Sequence, residues 1–500
     1  MTVWVLGDQL TTATGPLTNA GDERILLVEA HDFARRMPYH PQKLTLLFSA
    51  MRHFRDERRN DGREVVYRQS ETFLEALKAH FEVFPGDELR LMEPASHGAG
   101  NRLREIATEA GGTLELVPND LFLVSPQAFD EWAGEDTTRF RHEQFYRWIR
   151  MQTGYLMDGD DPEGGEWNYD DANRESPPPE YEFPDPPSFD PDELTRETLA
   201  WVEREFETWG TADEFHWPVT REGTLDALDQ FIQHRLADFG PYQDAMVGSE
   251  WALNHSILSS SVNLGLLHPR ELIERAIAAY ESDEAPLNSV EGFVRQVLGW
   301  REFMRHVYRR RMDEMAAANQ LEAHRELSPL YYFGDTEMNC LSIAVDRVWK
   351  RGYSHHIERL MVLSNFALLI GASPRELNRW FHFAYVDAYH WVTTPNVVGM
   401  GVFATDALST KPYASSGRYI DRMSDFCGNC RYNVNETTGP DACPFNALYW
   451  DFLVENEGQL RDNHRMALVY SNLDRKDEDE IDAIRERART VREMAERETL

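Results

Sequence analysis

Three cysteines fall within one short stretch, Asp425 to Phe445, and a fourth, Cys340, lies well upstream; the chain of 500 residues has only these 4. Cys427 and Cys430 form a C-x2-C pair, which puts two sulfurs on one turn, and Cys443 follows just before Pro444. Four thiolates fit tetrahedral zinc or a four-iron cluster, and spacing alone does not separate the two. Free cysteines are also among the most often buried side chains, so four unrelated core thiols are the bland alternative. A disulfide framework is disfavoured in so long a chain without a secretory leader pattern. A second run, Asn254 to Arg270, carries hydroxyls at Ser256, Ser259, Ser260 and Ser261 near the start of a helix. Unpaired N–H groups and the helix dipole favour an anion there, although ordinary N-capping uses the same residue types. A third, Trp300-Arg301-Glu302-Phe303, lies inside a helical pattern. Neighbouring positions on a helix point to different sides, so these residues cannot all serve one core face.

The elements that must position these residues divide the chain in three. Over residues 1–125, short apolar runs alternate with amphipathic segments. Val3–Leu6, Arg24–Val28, Glu64–Tyr67, Glu88–Met92 and Thr113–Val117 read as buried strands, and Gln42–Arg59, Glu71–Phe84 and Asn101–Glu109 as helices. That alternation predicts a Rossmann-like, doubly wound parallel sheet, whose ligands sit beyond the carboxyl ends of the strands. Those ends carry Gly7-Asp8-Gln9, Glu29 and Glu93-Pro94, but no G-x-G-x-x-G follows the first strand. Residues 126–223 read as an inter-domain connection with helices at its two ends. Its middle is acidic and then proline-rich, with Pro177-Pro178-Pro179, Pro184, Pro186 and Pro187 forcing extended chain. From 224 to 500 helical periodicity dominates and predicts a large all-α domain. Helices are expected over Gly292–Arg311, Cys340–Arg351, His355–Ile370 and Pro374–Tyr389. The charged tail from Glu478 carries a narrow apolar stripe, Ile481, Ile484, Ala488, Val491 and Met494, as a docked amphipathic helix would.

No run approaches the ~18 apolar residues of a membrane helix, so a soluble, cytoplasmic protein with no membrane partner is expected. The formal charge is −35, from 86 acidic and 51 basic residues, which argues against a nucleic-acid partner if taken at face value. Lysine is scarce beside arginine, however, a balance that fits a halophilic protein whose carboxylates keep its surface hydrated. A local basic face remains compatible with phosphate binding. Aromatic residues make up 12%, with 13 Trp, enough for stacking surfaces beyond core packing.

The hydroxyl run and the W-R-E-F segment together resemble the FAD-binding domain of the photolyase/cryptochrome family. The family's phosphate-holding run is matched at Ser256, Leu258, Ser259, Gly265, Leu267, Pro269 and Arg270, and W-R-E-F letter for letter. His355-His356-Ile357-Glu358-Arg359 resembles the helix whose arginine pairs with an aspartate beneath the flavin ring, and Asp387 falls at the matching position. The resemblance thus assigns His255, Ser256, Ser259, Trp300, Arg301, Arg359, Asp387, Thr393 and Asn396 to FAD. Arg359 and Asp387 could otherwise be an ordinary interhelical salt bridge.

The cysteines point to one branch of that family, the iron–sulfur bacterial cryptochromes and photolyases, which includes prokaryotic (6-4) photolyases. Met338-Asn339-Cys340 and the run from Arg422 to Leu453 resemble that branch's own motifs. The resemblance implies a [4Fe–4S] cluster on Cys340, Cys427, Cys430 and Cys443. It also implies a 6,7-dimethyl-8-ribityllumazine antenna, with Asp8, Glu29 and the Ser49–His53 segment as candidates. The catalytic residues it implies are His356, which would move a proton at the lesion, its neighbour His355, Tyr413, which would wedge into the duplex, and Trp380, the flavin-proximal tryptophan. Lys411 and Arg418 would touch phosphates. Phe381 and Tyr332 stand where the branch has Tyr and Trp, and Phe does not readily form a radical. Electron supply is therefore expected to be slower, or to use Tyr332, Tyr331 or Trp349. Thr393 replaces a carboxylate facing flavin N5.

The expected activity is light-driven repair of UV-damaged DNA by a monomer, through electron transfer from photoexcited reduced FAD to a (6-4) dimer. A blue-light photoreceptor with the same cofactors, or a non-catalytic flavin-bearing DNA-binding protein, are the alternatives.

Overall fold

The computed structural model describes residues 1–18, 20–134, 140–497 and 500. Five strands, β1 (Thr2–Val5), β2 (Arg24–Ala30), β3 (Val65–Ser70), β4 (Glu88–Met92) and β5 (Thr113–Val117), form one sheet in the order β3-β2-β1-β4-β5. All four pairings are parallel. Parallel strands need crossovers; these contain α1 (Pro41–Asn60), α2 (Phe73–Val83) and α3 (Ala99–Glu109). Alternation along the strands splits the sheet's side chains between two cores. Trp4, Leu26 and Leu91 pack with Leu77 and Phe81 of α2 and Leu103 of α3. Val3, Val5, Ile25 and Leu27 join the large core that continues into the helical region.

The strand order reverses between β1 and β4, where a doubly wound sheet opens a ligand crevice. Here the chain closes it: the Gln9 side-chain amide donates to the Met92 carbonyl at 2.9 Å, and the Leu10 amide donates to the Leu264 carbonyl at 2.9 Å. The sheet's C-terminal edge is thus a docking face for the helical region.

Residues 126–223 contain helices Pro126–Ala133, His142–Thr153 and Glu193–Glu205, with extended chain over the prolines. The last of these packs along α1. Beyond Thr220 the fold is helical. The tail helix Glu478–Glu496 buries Ile484, Ala488 and Val491 against Pro444–Glu455, with Ile481 and Met494 half-buried at the margins. The Arg492 guanidinium pairs with Asp451 at 2.5 Å beneath it.

Two local departures from helical periodicity matter for the site. Helix Pro374–Ala384 stops short of the expected Tyr389, because Tyr385 is extended at φ −107°, ψ 137°. The turn that follows is pinned by the buried Lys43 ammonium, which donates to the carbonyls of His382 and Ala388. In addition, three segments are wound as π-helix: Arg295–Arg301, Glu358–Ser364 and Pro395–Gly401. Such turns are rare and cluster at functional sites. Among the described residues no helix is long and apolar enough to cross a membrane.

Candidate functional site

The three π-helical segments converge on one cavity of about 1170 Å3. Each extra residue in a π turn re-aims its neighbours, and Arg301, Arg359 and Asn396 all reach the cavity from these segments. The volume exceeds the usual ~300–1,000 Å3 of a small-ligand pocket, leaving room for an extended cofactor and an opening besides.

The Arg359 guanidinium grips Asp387 with two bonds, 3.0 and 3.1 Å long, and its Nε donates to the Ser354 carbonyl. Two parallel N–H···O bonds fix orientation as well as charge. The early stop of helix Pro374–Ala384 is what turns Asp387 back toward Arg359, and the Asn263 amide holds the Asp387 carbonyl at 2.9 Å. Ser259 also belongs to this network, since its hydroxyl donates to Asp387 at 2.7 Å. The helix read from the hydroxyl run covers only Ser259–Asn263; Ser256 and Ser259 line the cavity, while Ser260 and Ser261 are buried away from it. Ile257, between them, has a φ of +58°. A β-branched residue in that region costs about 1–3 kcal/mol, and the sharp turn is what presents Ser256 and Ser259 on one wall.

Trp300 reaches the cavity with one face stacked on His142, ring centroids 4.0 Å apart. Arg301 lies between Phe122 and Trp391 and donates to the Leu121 carbonyl at 3.0 Å. The buried Glu302 accepts from the Leu123 and Val124 amides at 2.8 and 3.0 Å. The W-R-E-F segment therefore ties the end of the 1–125 segment, and His142 of the connection, to the helical region as well as bordering the cavity. Thr393 and Asn396 complete the wall.

The two adjacent histidines part company. His356 lines the cavity, is 52% exposed, and stands 3.3 Å from the Asp244 carboxylate. His355 does not line it: the ring is buried and stacked on His255 at 5.0 Å, and burial keeps both rings neutral. Neither nitrogen of His355 has a hydrogen-bond partner among the described residues, and Nε2 stands 3.6 Å from the buried Glu358 carboxylate. His355 and His255 support the cavity from behind. Tyr413, 39% exposed, stands with Lys411 at the cavity's mouth, and Arg174 and Arg422 line the same opening. Arg418 is not among the lining residues. Trp380 is fully buried behind Phe381 and Tyr385, which form the wall in front of it.

At the sheet's edge, Glu29 is buried and fully engaged. Arg52 holds it with bonds of 2.8 and 3.0 Å, Gln69 with one of 2.8 Å, and the Tyr67 hydroxyl also donates to it. Burial would raise this carboxyl, but the bonds from His31, Arg52 and Tyr67 outweigh that and hold it at about 2. Burial pushes Asp8 the other way, up to about 6.

All four cysteines line a second, small cavity with Gly417, Ile420, Phe426 and Val434. Cys340 opens helix Asn339–Arg351, Cys427 lies in the turn Phe426–Asn429, and Cys443 caps helix Pro444–Glu455. The Asn339 side chain donates to the Phe426 carbonyl at 2.9 Å, which joins the first two segments. Burial, reinforced by the neighbouring sulfurs, pushes the Cys340 thiol well above its usual range, Cys427 up to about 12 and Cys443 up to about 11. Among the described residues no three His, Cys, Asp or Glu side chains are gathered closely enough to hold a single metal ion.

Over 487 residues the chain is 40% identical to the (6-4) photolyase of Agrobacterium fabrum, an alignment spanning 95% of this chain and 96% of that protein. The chain belongs to the photolyase family. The family described as deoxyribodipyrimidine photo-lyase-related protein matches residues 3–217. The crystal structure of a bacterial class III photolyase from Agrobacterium tumefaciens superimposes with a TM-score of 0.59 at 16% identity, covering 95% of this chain and 98% of that one. An archaeal photolyase from Sulfolobus tokodaii, solved with two FAD molecules, gives 0.54 at 15% identity over 81% and 83%. These likenesses carry the photolyase fold, a parallel sheet followed by a large helical region.

Sequence reasoning missed several residues of this photolyase-family cavity. His142, Asp170 and Arg174 come from the segment read as a mere connection, and Asp244 from the turn after helix Leu236–Tyr242. The charged residues within the proline-rich and acidic stretch were the available signal, masked there by the chain's general excess of charge.

Proposed function

We propose that the protein is a light-driven DNA-repair photolyase whose cavity holds FAD and receives a (6-4) pyrimidine lesion. The observation that carries this reading is the single cavity uniting the Arg359–Asp387 pair with His356 and Tyr413 at its opening. When bound, FAD supplies one-electron chemistry driven by light, lending an electron to the lesion and recovering it. Arg359 and Asp387 would set the charge against the flavin ring, with Ser256, Asn263, Arg301, Thr393 and Asn396 as further wall contacts. The Arg301 Nε, buried without a partner among the described residues, is a donor in reserve for such a ligand. His356 would hold or pass a proton at the lesion, since an imidazole can donate through one ring nitrogen and accept through the other. Asp244 orients that ring. Tyr413 would fill the gap left by the extruded nucleotide, where a stacking ring offsets part of the unstacking cost. Lys411, Arg174 and Arg422 are placed for the flanking phosphates. The working unit in this reading is a monomer.

Cys340, Cys427, Cys430 and Cys443 would hold a [4Fe–4S] cluster. Their shared apolar cavity and raised thiols suit a compensating cationic core. The likeness of the four-cysteine pattern to the iron–sulfur branch favours a cluster, in which each thiolate meets a different iron, over zinc. Its role in this reading is to staple the Cys340 helix to the C-terminal segment. The antenna residues fit less well. Glu29 has no acceptor left for a lumazine, and neither it nor Asp8 borders either cavity, so we route no step through an antenna. The acidic surface supports a high-salt habitat, in which stacking and lesion extrusion carry more of the DNA affinity than phosphate contacts.

The test is repair of a (6-4)-containing oligonucleotide by the flavin-reduced protein under blue light. Lesion loss in light and none in the dark is expected, and His356→Ala abolishes it with flavin still bound. No loss under light would sink the enzyme reading; loss confined to cyclobutane dimers would change the substrate.

A further inference from the structure

Helix His142–Thr153 carries His142, Tyr146 and Arg150 at every fourth position, the spacing that sets side chains one above another. At the buried end, the Arg150 guanidinium donates to the carbonyls of Tyr155, Leu156 and Trp167 and lies 5.5 Å from the Tyr146 ring centre. Tyr146 is fully buried and stacks on His142, the ring centroids 6.0 Å apart and the planes 6° from parallel. His142 stacks in turn on Trp300 at 4.0 Å, again at 6°. Trp300 is the last ring of the column and lines the large cavity. Phe303 meets its edge at 6.2 Å, and no ring covers its other face among the described residues.

His142 serves this column by its flat face. Its Nε2 is buried without a hydrogen-bond partner among the described residues. Burial, with the Arg295 guanidinium nearby, holds the imidazole down at about 3, so the ring is neutral at physiological pH. A neutral ring is stacked without the cost of burying a charge. The backbone opposite is shaped to admit it. A Cβ placed on Gly299 would come 2.8 Å from His142 Nε2 and 3.1 Å from the Tyr146 ring. Gly299 precedes Trp300 in the π-helical segment Arg295–Arg301, so the residue that makes room adjoins the residue that is stacked.

The open end of the column lies toward the cavity's mouth. Arg295, beside His142, pairs with Asp170, and Asp170 and Arg174 both act on the Tyr413 phenol and line the cavity with it. An indole free to turn loses rotamer freedom when a flat ring settles on it; one already held in place loses little.

We propose that His142, backed by Tyr146 and Arg150, is a positioning residue that locks the Trp300 indole as a flat platform for a ring of the extruded lesion. The inference rests on the reading that the cavity receives a (6-4) lesion. The column acts on binding alone. It lowers the concentration of damaged DNA that is needed and leaves the photochemical step unchanged.

The test uses the flavin-loaded full chain and its His142→Leu, His142→Phe and Gly299→Ala variants, each checked for flavin content and melting temperature. Dark titration with (6-4)-containing and undamaged duplexes reads binding, and repair under saturating light reads KM and kcat. Leucine fills space without a flat face, so His142→Leu is expected to weaken lesion binding about ten-fold, the order of one base–aromatic stack. KM rises in step, while kcat and binding of undamaged duplex stay at the parent level. Gly299→Ala displaces the imidazole and behaves alike, whereas His142→Phe restores a flat ring and recovers most of the affinity. Parent-like lesion binding in His142→Leu, or no recovery in His142→Phe, would overturn the proposal. Loss of flavin from folded His142→Leu protein would do so too, because it would set the platform against the cofactor. Should His142→Leu fail to fold, Gly299→Ala decides by the same readings. A parent that binds both duplexes equally removes the lesion reading itself; a discriminating parent with an unaffected His142→Leu variant removes only the role of His142.

Discussion

Two buried arginine–carboxylate pairs, built alike, do different things in this molecule. Glu29 and Arg52 meet at the edge of the sheet, and Asp387 and Arg359 meet in the helical region; both are bidentate and close to 3 Å. Around Glu29 the protein spends every acceptor site on its own donors, and Arg52 continues to the Thr198 hydroxyl and the Trp201 ring. That pair is a rivet joining α1, β2, β3 and the Glu193–Glu205 helix. Around Asp387 the donors are fewer, Arg359 and Ser259, and both partners border the large cavity. Burial, pairing and a favourable bond count do not distinguish scaffold from site. An open side facing a cavity does.

The largest expected effect comes from breaking the cavity pair. Removing one partner of a buried ion pair costs about 3–5 kcal/mol. Arg359→Ala is therefore expected to lower light-driven lesion loss by two orders of magnitude or more, read at saturating light. A similar penalty is expected from Glu29→Gln, but as a loss of about 3–5 kcal/mol of stability in urea unfolding. Flavin content per folded chain should stay at the parent level; flavin loss in that variant would merge the two roles.

Acid sharpens the contrast. The Glu29 carboxyl is held at about 2, below the 4.5 of an unperturbed glutamate. The folded state thus binds fewer protons than the unfolded chain between these values. Its contribution, of order 3 kcal/mol, is full above pH 4.5 and is lost as pH falls toward 2. Melting temperatures of parent and Glu29→Gln should converge over that window. The smallest effect is expected from Ser259→Ala, which deletes one bond to Asp387 worth about 1–3 kcal/mol because its acceptor is charged; a modest rise in flavin dissociation reads it. Separately, Cys340→Ser is expected to lower iron content and loosen the C-terminal helices, read by metal analysis and limited proteolysis.

Much of this architecture was legible from patterning. Four of the five strands appear within two residues of their apolar runs, because strands buried in a parallel sheet leave an apolar signal; the half-buried edge strand β3 continues three residues past Tyr67. The ends of α1–α3 and the tail stripe follow from 3.6-residue periodicity. The cavity was legible only in part. Arg359 and Asp387 could be named from resemblance, but not the stop at Tyr385 that brings them together, since it depends on Lys43 reaching over from α1. The π turns escape because they break the period on which helix reading depends. Asp244 and Arg174 lie in irregular chain, where position is set by packing and no local pattern marks function. Glu29 was misleading for the opposite reason: its place at a strand end suggested a ligand, and only the structure reveals how completely its oxygens are taken.

The most direct test is an absorption spectrum of the purified protein, before and after pigment release, taken beside Asp387→Asn and Glu29→Gln. Flavin bands are predicted in the parent and in Glu29→Gln, and strongly reduced ones in Asp387→Asn. A parent without flavin, or an Asp387→Asn protein that retains as much flavin as the parent, would contradict it.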